Sequence, residues 1–168
     1  MWNTKLPVST HLKQNGCDIV VRLSRKLEKI TLSPKQLKSM ADFAGRQGDV
    51  LALFLYGSYG TEWQTALSDV DLAILPMPET SWDYKRELEL VAEFCHIGRS
   101  DDINVVNLHR VPVTLQMRVL ETGRLLYVKD EILLADFKEM VIRRYCDFEP
   151  DLKSLYRDFD AGLREEFL

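Results

Sequence analysis

The chain has 168 residues, 46% of them hydrophobic and 29% charged, enough for one domain with a proper core and short for two. Its net charge of −4 argues against a dedicated nucleic-acid binder, which would carry a basic face, and suits a basic protein partner better. Cys17, Cys95 and Cys146 are odd in number and widely spaced, which excludes a disulfide framework and a cysteine zinc site; no run of eighteen apolar residues and no leader-like start occurs, so a soluble, cytoplasmic protein with no membrane contact is expected.

Residues 1–31 carry a turn signal at Asn15-Gly16 and a short apolar run, Ile19 to Leu23, that suits a strand or a helix equally. Ser33 then reads as an N-cap with Pro34 at the first helical position, and Leu37, Met40, Ala41 and Ala44 recur at helical spacing, predicting a helix from Pro34 to about Arg46. Gly45 and Gly48 help to end it. Val50 to Tyr56 is apolar throughout, as in a strand covered on both faces, and stops at Gly57-Ser58.

That glycine lets the backbone approach a phosphate, and Ser58 offers a hydroxyl and an amide donor; a short helix beginning at Ser58 would add free N–H groups that favour an anion. Thr61 to Ser68 is a polar connection whose Trp63 is expected to pack beneath the site rather than cover it. A second buried strand, Val70 to Leu75, follows Asp69 and includes Asp71. Side chains two apart on a strand share a face, so both carboxylates reach one point in space and suit hard cations such as Mg²⁺ that bridge nucleotide phosphates. Gly-Ser, ten residues, then Asp-x-Asp arises by chance in about one chain in several hundred of this length. The alternative is a turn followed by an aspartate-rich strand start.

These residues resemble the minimal nucleotidyltransferases of the DNA polymerase β-like superfamily, which share a glycine-serine pair and Asp-x-Asp on adjacent strands at this spacing. The resemblance implies an α/β (α+β) fold with a small mixed sheet flanked by helices, and transfer of a nucleotidyl group from a nucleoside triphosphate. It implies ATP at Gly57 and Ser58, and two Mg²⁺ ions on Asp69 and Asp71.

Beyond the second strand, Pro76-Met77-Pro78 blocks further pairing, and Thr80-Ser81 offers an N-cap for a helix over Trp82 to Ile97 with Gly98 at its C′ position. Leu88, Val91, Ala92 and Cys95 lie along one side of it, with Glu87, Glu89 and Glu93 expected to face water. Asp101 to Leu108 should be the third strand. Here the related enzymes usually place a third catalytic carboxylate, and this chain carries Asn104. An amide oxygen coordinates a cation weakly and is no base at neutral pH. Asp102, two residues earlier on the same face, is the candidate substitute. His11, His96 and His109 are scattered without ligand spacing.

Pro112 to Thr122 predicts a helix closed by Gly123, and Arg124 to Val128 a short strand. Asp130 caps a helix running to about Cys146, and Pro150 starts a second through Leu152, Leu155, Tyr156 and Phe159, making a C-terminal helix pair. Arg143, Arg144 and Arg164 are expected to be solvated. The tail, with Tyr145-Cys146-Asp147-Phe148-Glu149-Pro150, is similar to that of MntA-type antitoxins paired with HEPN-type RNase toxins. That resemblance covers about Gln36 to Tyr156. It implies transfer of AMP to a tyrosine hydroxyl of the toxin; the other readings are a catalytically weakened antitoxin that neutralises by binding, and an adenylyltransferase for a small drug-like acceptor. The organisation expected is an extension over 1–32, a nucleotidyltransferase domain over 33–128 and a helical tail over 129–168 packed on it.

Overall fold

The structure, a computed structural model, describes residues 29–167, so the Asn15-Gly16 turn, the run Ile19 to Leu23, His11 and Cys17 lie outside the described residues. Eight elements follow in the order α1 (Pro34–Arg46), β1 (Val50–Tyr56), β2 (Val70–Pro76), α2 (Tyr84–Gly98), β3 (Ile103–Asn107), α3 (Val113–Thr122), β4 (Arg124–Val128) and α4 (Glu131–Phe167). The four strands form one mixed sheet in the order β3-β2-β1-β4. β1 runs antiparallel to β2 and β4, whereas β2 and β3 are parallel because α2 carries the chain back between them.

Both faces of the sheet are covered, which explains why β1 and β2 read as unbroken apolar runs. Alternate residues divide between two cores. Leu53, Leu55, Leu72 and Ile74 pack with Met40 and Ala44 of α1 and Leu90 and Phe94 of α2. Ala52, Phe54, Ala73 and Leu75 pack with Val119 of α3 and Leu134, Phe137 and Val141 of α4. None of the described helices is long and apolar enough to cross a membrane.

The helix start at Ser33 is a complete capping box, the Gln36 amide N–H bonding the Ser33 hydroxyl and the Gln36 side chain returning to the Ser33 backbone. α2 differs from expectation at both ends. Asp83, not Thr80 or Ser81, is its cap, accepting from the Arg86 N–H at 2.8 Å, because a carboxylate sits one residue before the first helical turn. Gly98 is the last helical residue, and Arg99 takes the left-handed conformation with φ 54°. Gly98 is needed for packing instead: a Cβ there would lie 2.3 Å from Ile103 Cδ1 and 3.2 Å from Met40 Cε. The buried side of α2 is correspondingly Leu90 and Phe94, with Leu88 exposed. Glu87 does not simply face water, since Arg110 pairs with it at 3.0 Å and Asn107 donates to it at 2.9 Å.

The expected C-terminal helix pair is one 37-residue helix with Pro150 inside it. Proline fixes a helical φ and removes a single hydrogen bond, and no glycine beside Pro150 adds a stop signal. Burial along α4 ends at Val141. Of the two described cysteines, Cys95 is half-buried and Cys146 exposed, and both are free thiols.

One polar network ties α2 to the corner between α1 and β1. Arg86 donates to both oxygens of Asp49, at 2.8 and 2.9 Å, and to Gln47 Oε1 at 2.9 Å. The Arg86 hydrogen bond holds the Asp49 carboxyl below its usual range against the opposing effect of burial. A lowered carboxyl contributes stability above the ordinary carboxylate value, near 3.9, and loses it as pH falls through the depressed one. Arg86→Ala is therefore expected to cost about 1–2 kcal/mol at neutral pH, the partial exposure of the pair limiting its worth. Urea titrations should show the deficit at pH 7 and its shrinkage below pH 4; equal deficits at both would contradict the assignment.

Candidate nucleotide and metal site

The site forms where β1 ends and β2 and β3 begin. Tyr56 on β1 pairs with Asp71 on β2, and Asp71 pairs with Asn104 on β3, so the three form a row across the sheet. Asp69, two residues before Asp71, shares its face. The row sits on the face covered further along by α3 and α4, beyond the end of their packing.

Asn104 joins the two aspartates. Its Nδ2 lies 3.0 Å from Asp69 Oδ2 and 3.4 Å from Asp71 Oδ1, donating to both. Burial pushes the Asp71 carboxyl above its usual range; the Asn104 hydrogen bond opposes this and the charge of Asp69 reinforces it. Tyr56 is shifted upward too, first by burial and then by the Asp71 charge. Tyr56 was not singled out from the sequence, although its place as the last apolar residue before Gly57 fixes it opposite Asp71 once the two strands pair.

The glycine-serine turn presses against this row. Gly57 has φ 80°, and a Cβ on it would lie 2.3 Å from Asp71 Oδ2. Only glycine meets both demands. No helix begins at Ser58: residues 57–60 form turns, with Thr61 N–H and hydroxyl donating to the Ser58 carbonyl at 3.1 and 2.7 Å. The reason is in the next residues, where Gly60 takes φ 75° and ends any helical path. Backbone and hydroxyl donors, not a helix terminus, are what Ser58 offers. The loop is anchored at its far side by Tyr59, whose hydroxyl accepts from the Leu32 N–H at 2.6 Å, and by Gln64, which donates to the Ile30 carbonyl at 2.8 Å. Trp63 does not pack beneath the site; it is 76% exposed, whereas Tyr59 packs against the core under α1 and α2.

Asp102 immediately precedes β3, its carbonyl accepting from the Val70 N–H at 3.0 Å and its own N–H bonding Ser100 Oγ at 3.2 Å. As oxygen donors for a cation the site offers Asp69 and Asp71. Asn104 can add its carbonyl only by turning its amide over. Among the described residues no group of three His, Cys, Asp or Glu side chains is gathered tightly enough to hold a metal. The donor set fits a hard divalent ion at the two carboxylates, and falls one anionic ligand short of a fuller cage. His96 lies on the last turn of α2, and His109 packs on Phe137 with its ring centroid 5.9 Å away. Burial lowers the His109 pKa, as expected of a structural imidazole.

The family profile described as "Polymerase beta, Nucleotidyltransferase" matches residues 35–132, from the first turn of α1 to the start of α4. The chain belongs to this family. Solved structures share the fold. A chain from a toxin-antitoxin complex with AMP-PNP is 20% identical, with a TM-score of 0.61 over 76% of this chain and 98% of that one. A chain from a mutant MntA-HpeT toxin-antitoxin complex is 18% identical, with a TM-score of 0.60 and the same coverage. A chain from the complex of the tri-AMPylated Shewanella oneidensis HEPN toxin with its MNT antitoxin is 18% identical, with a TM-score of 0.52 over 73% and 98%. Comparison with curated proteins finds no match. As a polymerase β-type nucleotidyltransferase, the chain is a member of a transferase family, and the row described above lies inside the matched region.

Proposed function

We propose that this nucleotidyltransferase is an antitoxin that transfers AMP from ATP to a tyrosine hydroxyl of a partner HEPN RNase toxin and so neutralises it. The observation that carries the reading is the contact between Gly57 and Asp71, which makes the phosphate-approach turn and the two carboxylates a single site. The neighbours of the same fold support the acceptor, since one of those complexes holds AMP-PNP and another a HEPN toxin bearing AMP.

Gly57 and Ser58 would receive the triphosphate through backbone and hydroxyl donors, and Asp69 and Asp71 would hold the ions. Bound Mg²⁺ supplies charge neutralisation along the phosphates and polarises the one that is attacked. The tyrosine oxygen bonds to the α-phosphorus, the bond from that phosphorus to the oxygen bridging the β-phosphate breaks, and pyrophosphate leaves. A phenol has a pKa near 10, so its proton needs an acceptor. Asn104 cannot be one, and Asp102 at the entrance of β3 is the carboxylate we assign to it.

The distal part of α4 supports a protein acceptor. Beyond Val141 its stripe Phe148, Leu155, Tyr156 and Phe159 is 41%, 64%, 60% and 62% exposed. A second reading, an antitoxin that neutralises by binding alone, is favoured by Asn104.

ATP labelled at the α-phosphate, Mg²⁺ and the co-purified partner separate the two. Label on the partner with the native chain and none with Asp69→Asn is the expected result; a partner that stays bound and protected without label would establish the binding antitoxin. Leu155→Asp with Phe159→Asp is expected to weaken co-purification more than tenfold while leaving far-ultraviolet circular dichroism unchanged. Full retention of the partner would remove α4 from the interface.

A further inference from the structure

The amide of Asn104 reaches both Asp69 and Asp71, the two carboxylates proposed to hold a cation. Two carboxylates facing one another repel, and in this chain the repulsion is relieved by a neutral donor that gives its two N–H groups to the two anions. A carboxylate at position 104 would do the opposite, adding a third negative charge to the row. Asp69 and Asp71 are the anionic ligands offered here, and no group of three His, Cys, Asp or Glu side chains able to hold a metal is found among the described residues.

We infer that Asn104 is an amide toggle that bridges the two carboxylates when no nucleotide is bound and admits the ion only together with the nucleotide. This rests on the reading of the site as a nucleotide site. A free hydrated ion gains little here, since it must displace the amide from both carboxylates and finds just two charges in return. An ion already bound to a triphosphate brings further oxygen ligands with it. The amide then rotates about its terminal torsion, and the carbonyl oxygen faces the ion where the nitrogen had faced the carboxylates. Rotation needs no proton transfer, so one side chain serves both states. An aspartate cannot make this exchange. It would bind the free ion tightly and, without an ion, add its charge to those of Asp69 and Asp71.

The test uses Mn²⁺ as the probe, read by electron paramagnetic resonance and by thermal melting of the full chain. For the native chain, Mn²⁺ alone is expected to bind weakly and to leave Tm unchanged, while Mn²⁺ with AMP-PNP raises it. Asn104→Asp is expected to melt lower than the native chain in EDTA, to recover on adding Mn²⁺ alone, and to bind the free ion at least tenfold more tightly. Asn104→Ser, too short to bridge both carboxylates, should also melt lower in EDTA but without the tenfold gain in affinity.

Native affinity for free Mn²⁺ equal to that of Asn104→Asp would overturn the inference, as would an Asn104→Asp chain as stable in EDTA as the native one. Failure of AMP-PNP with Mn²⁺ to bind the native chain or either variant is a different outcome. It would remove the nucleotide reading itself, while the comparison of free-ion affinities still decides what Asn104 does to the ion.

Discussion

Asp71→Asn is expected to abolish AMP transfer, with a loss of at least about 10³-fold. A metal ion held beside the phosphates supplies several kcal/mol of charge stabilisation in the transition state, and each 1.36 kcal/mol is a factor of ten. Asp71 is the carboxylate most deeply set in the row, in contact with Gly57 on one side and bonded to Asn104 on the other. The same replacement should leave the fold intact or firmer. The carboxyl of Asp71 is raised in the folded chain, chiefly by burial, so its ionisation costs stability as pH rises from the ordinary carboxylate value through the raised one. Asparagine removes that cost. An inactive protein with an unchanged or higher Tm at pH 7 is the expected pair of results. Transfer surviving at native rate in Asp71→Asn would refute the assignment of the site.

The second large effect concerns Gly57. Gly57→Ala meets two obstacles, a φ of 80° that a side chain rarely adopts and a Cβ 2.3 Å from Asp71 Oδ2. The backbone term alone is worth about 1–3 kcal/mol. Relief of the contact has to move either the turn proposed to receive the phosphates or the carboxylate proposed to hold the ion, so transfer should fall by roughly 10²-fold or more even where the chain still folds. Gly60→Ala is the matched control. Gly60 has nearly the same backbone, φ 75°, with nothing within 4 Å of its Cβ position. It should show the backbone cost in thermal melting while keeping most of the transfer rate. Equal losses of transfer in the two variants would mean that strain in the loop, not the contact with Asp71, is what matters.

Much of the architecture was legible in the residues because the relevant signals are local. The capping box at Ser33 and Gln36 is written within four positions, and α1 and the strands lie within a residue or two of their expected bounds. The unbroken apolar runs of β1 and β2 announced a sheet covered on both faces. Asp69 and Asp71 were recognisable as a pair because a strand repeats every two residues. The errors also have local causes: a proline was read as a helix start at Pro150 where it costs α4 one hydrogen bond, and a glycine as a helix stop at Gly98 where it makes room for Ile103.

What the sequence determined by itself was the presence of a glycine-serine turn, a carboxylate pair and an amide at the third position, since each depends on neighbours along the chain. The tertiary structure alone decided how they meet. The antiparallel register that sets Tyr56 opposite Asp71, the parallel register that sets Asn104 beside it, and the close approach of Gly57 all join residues 14 to 33 positions apart. No local periodicity encodes such distances. They follow from which strands pair and from the two cores that hold those strands in place, and it is that pairing which puts the Asn104 amide between the two carboxylates.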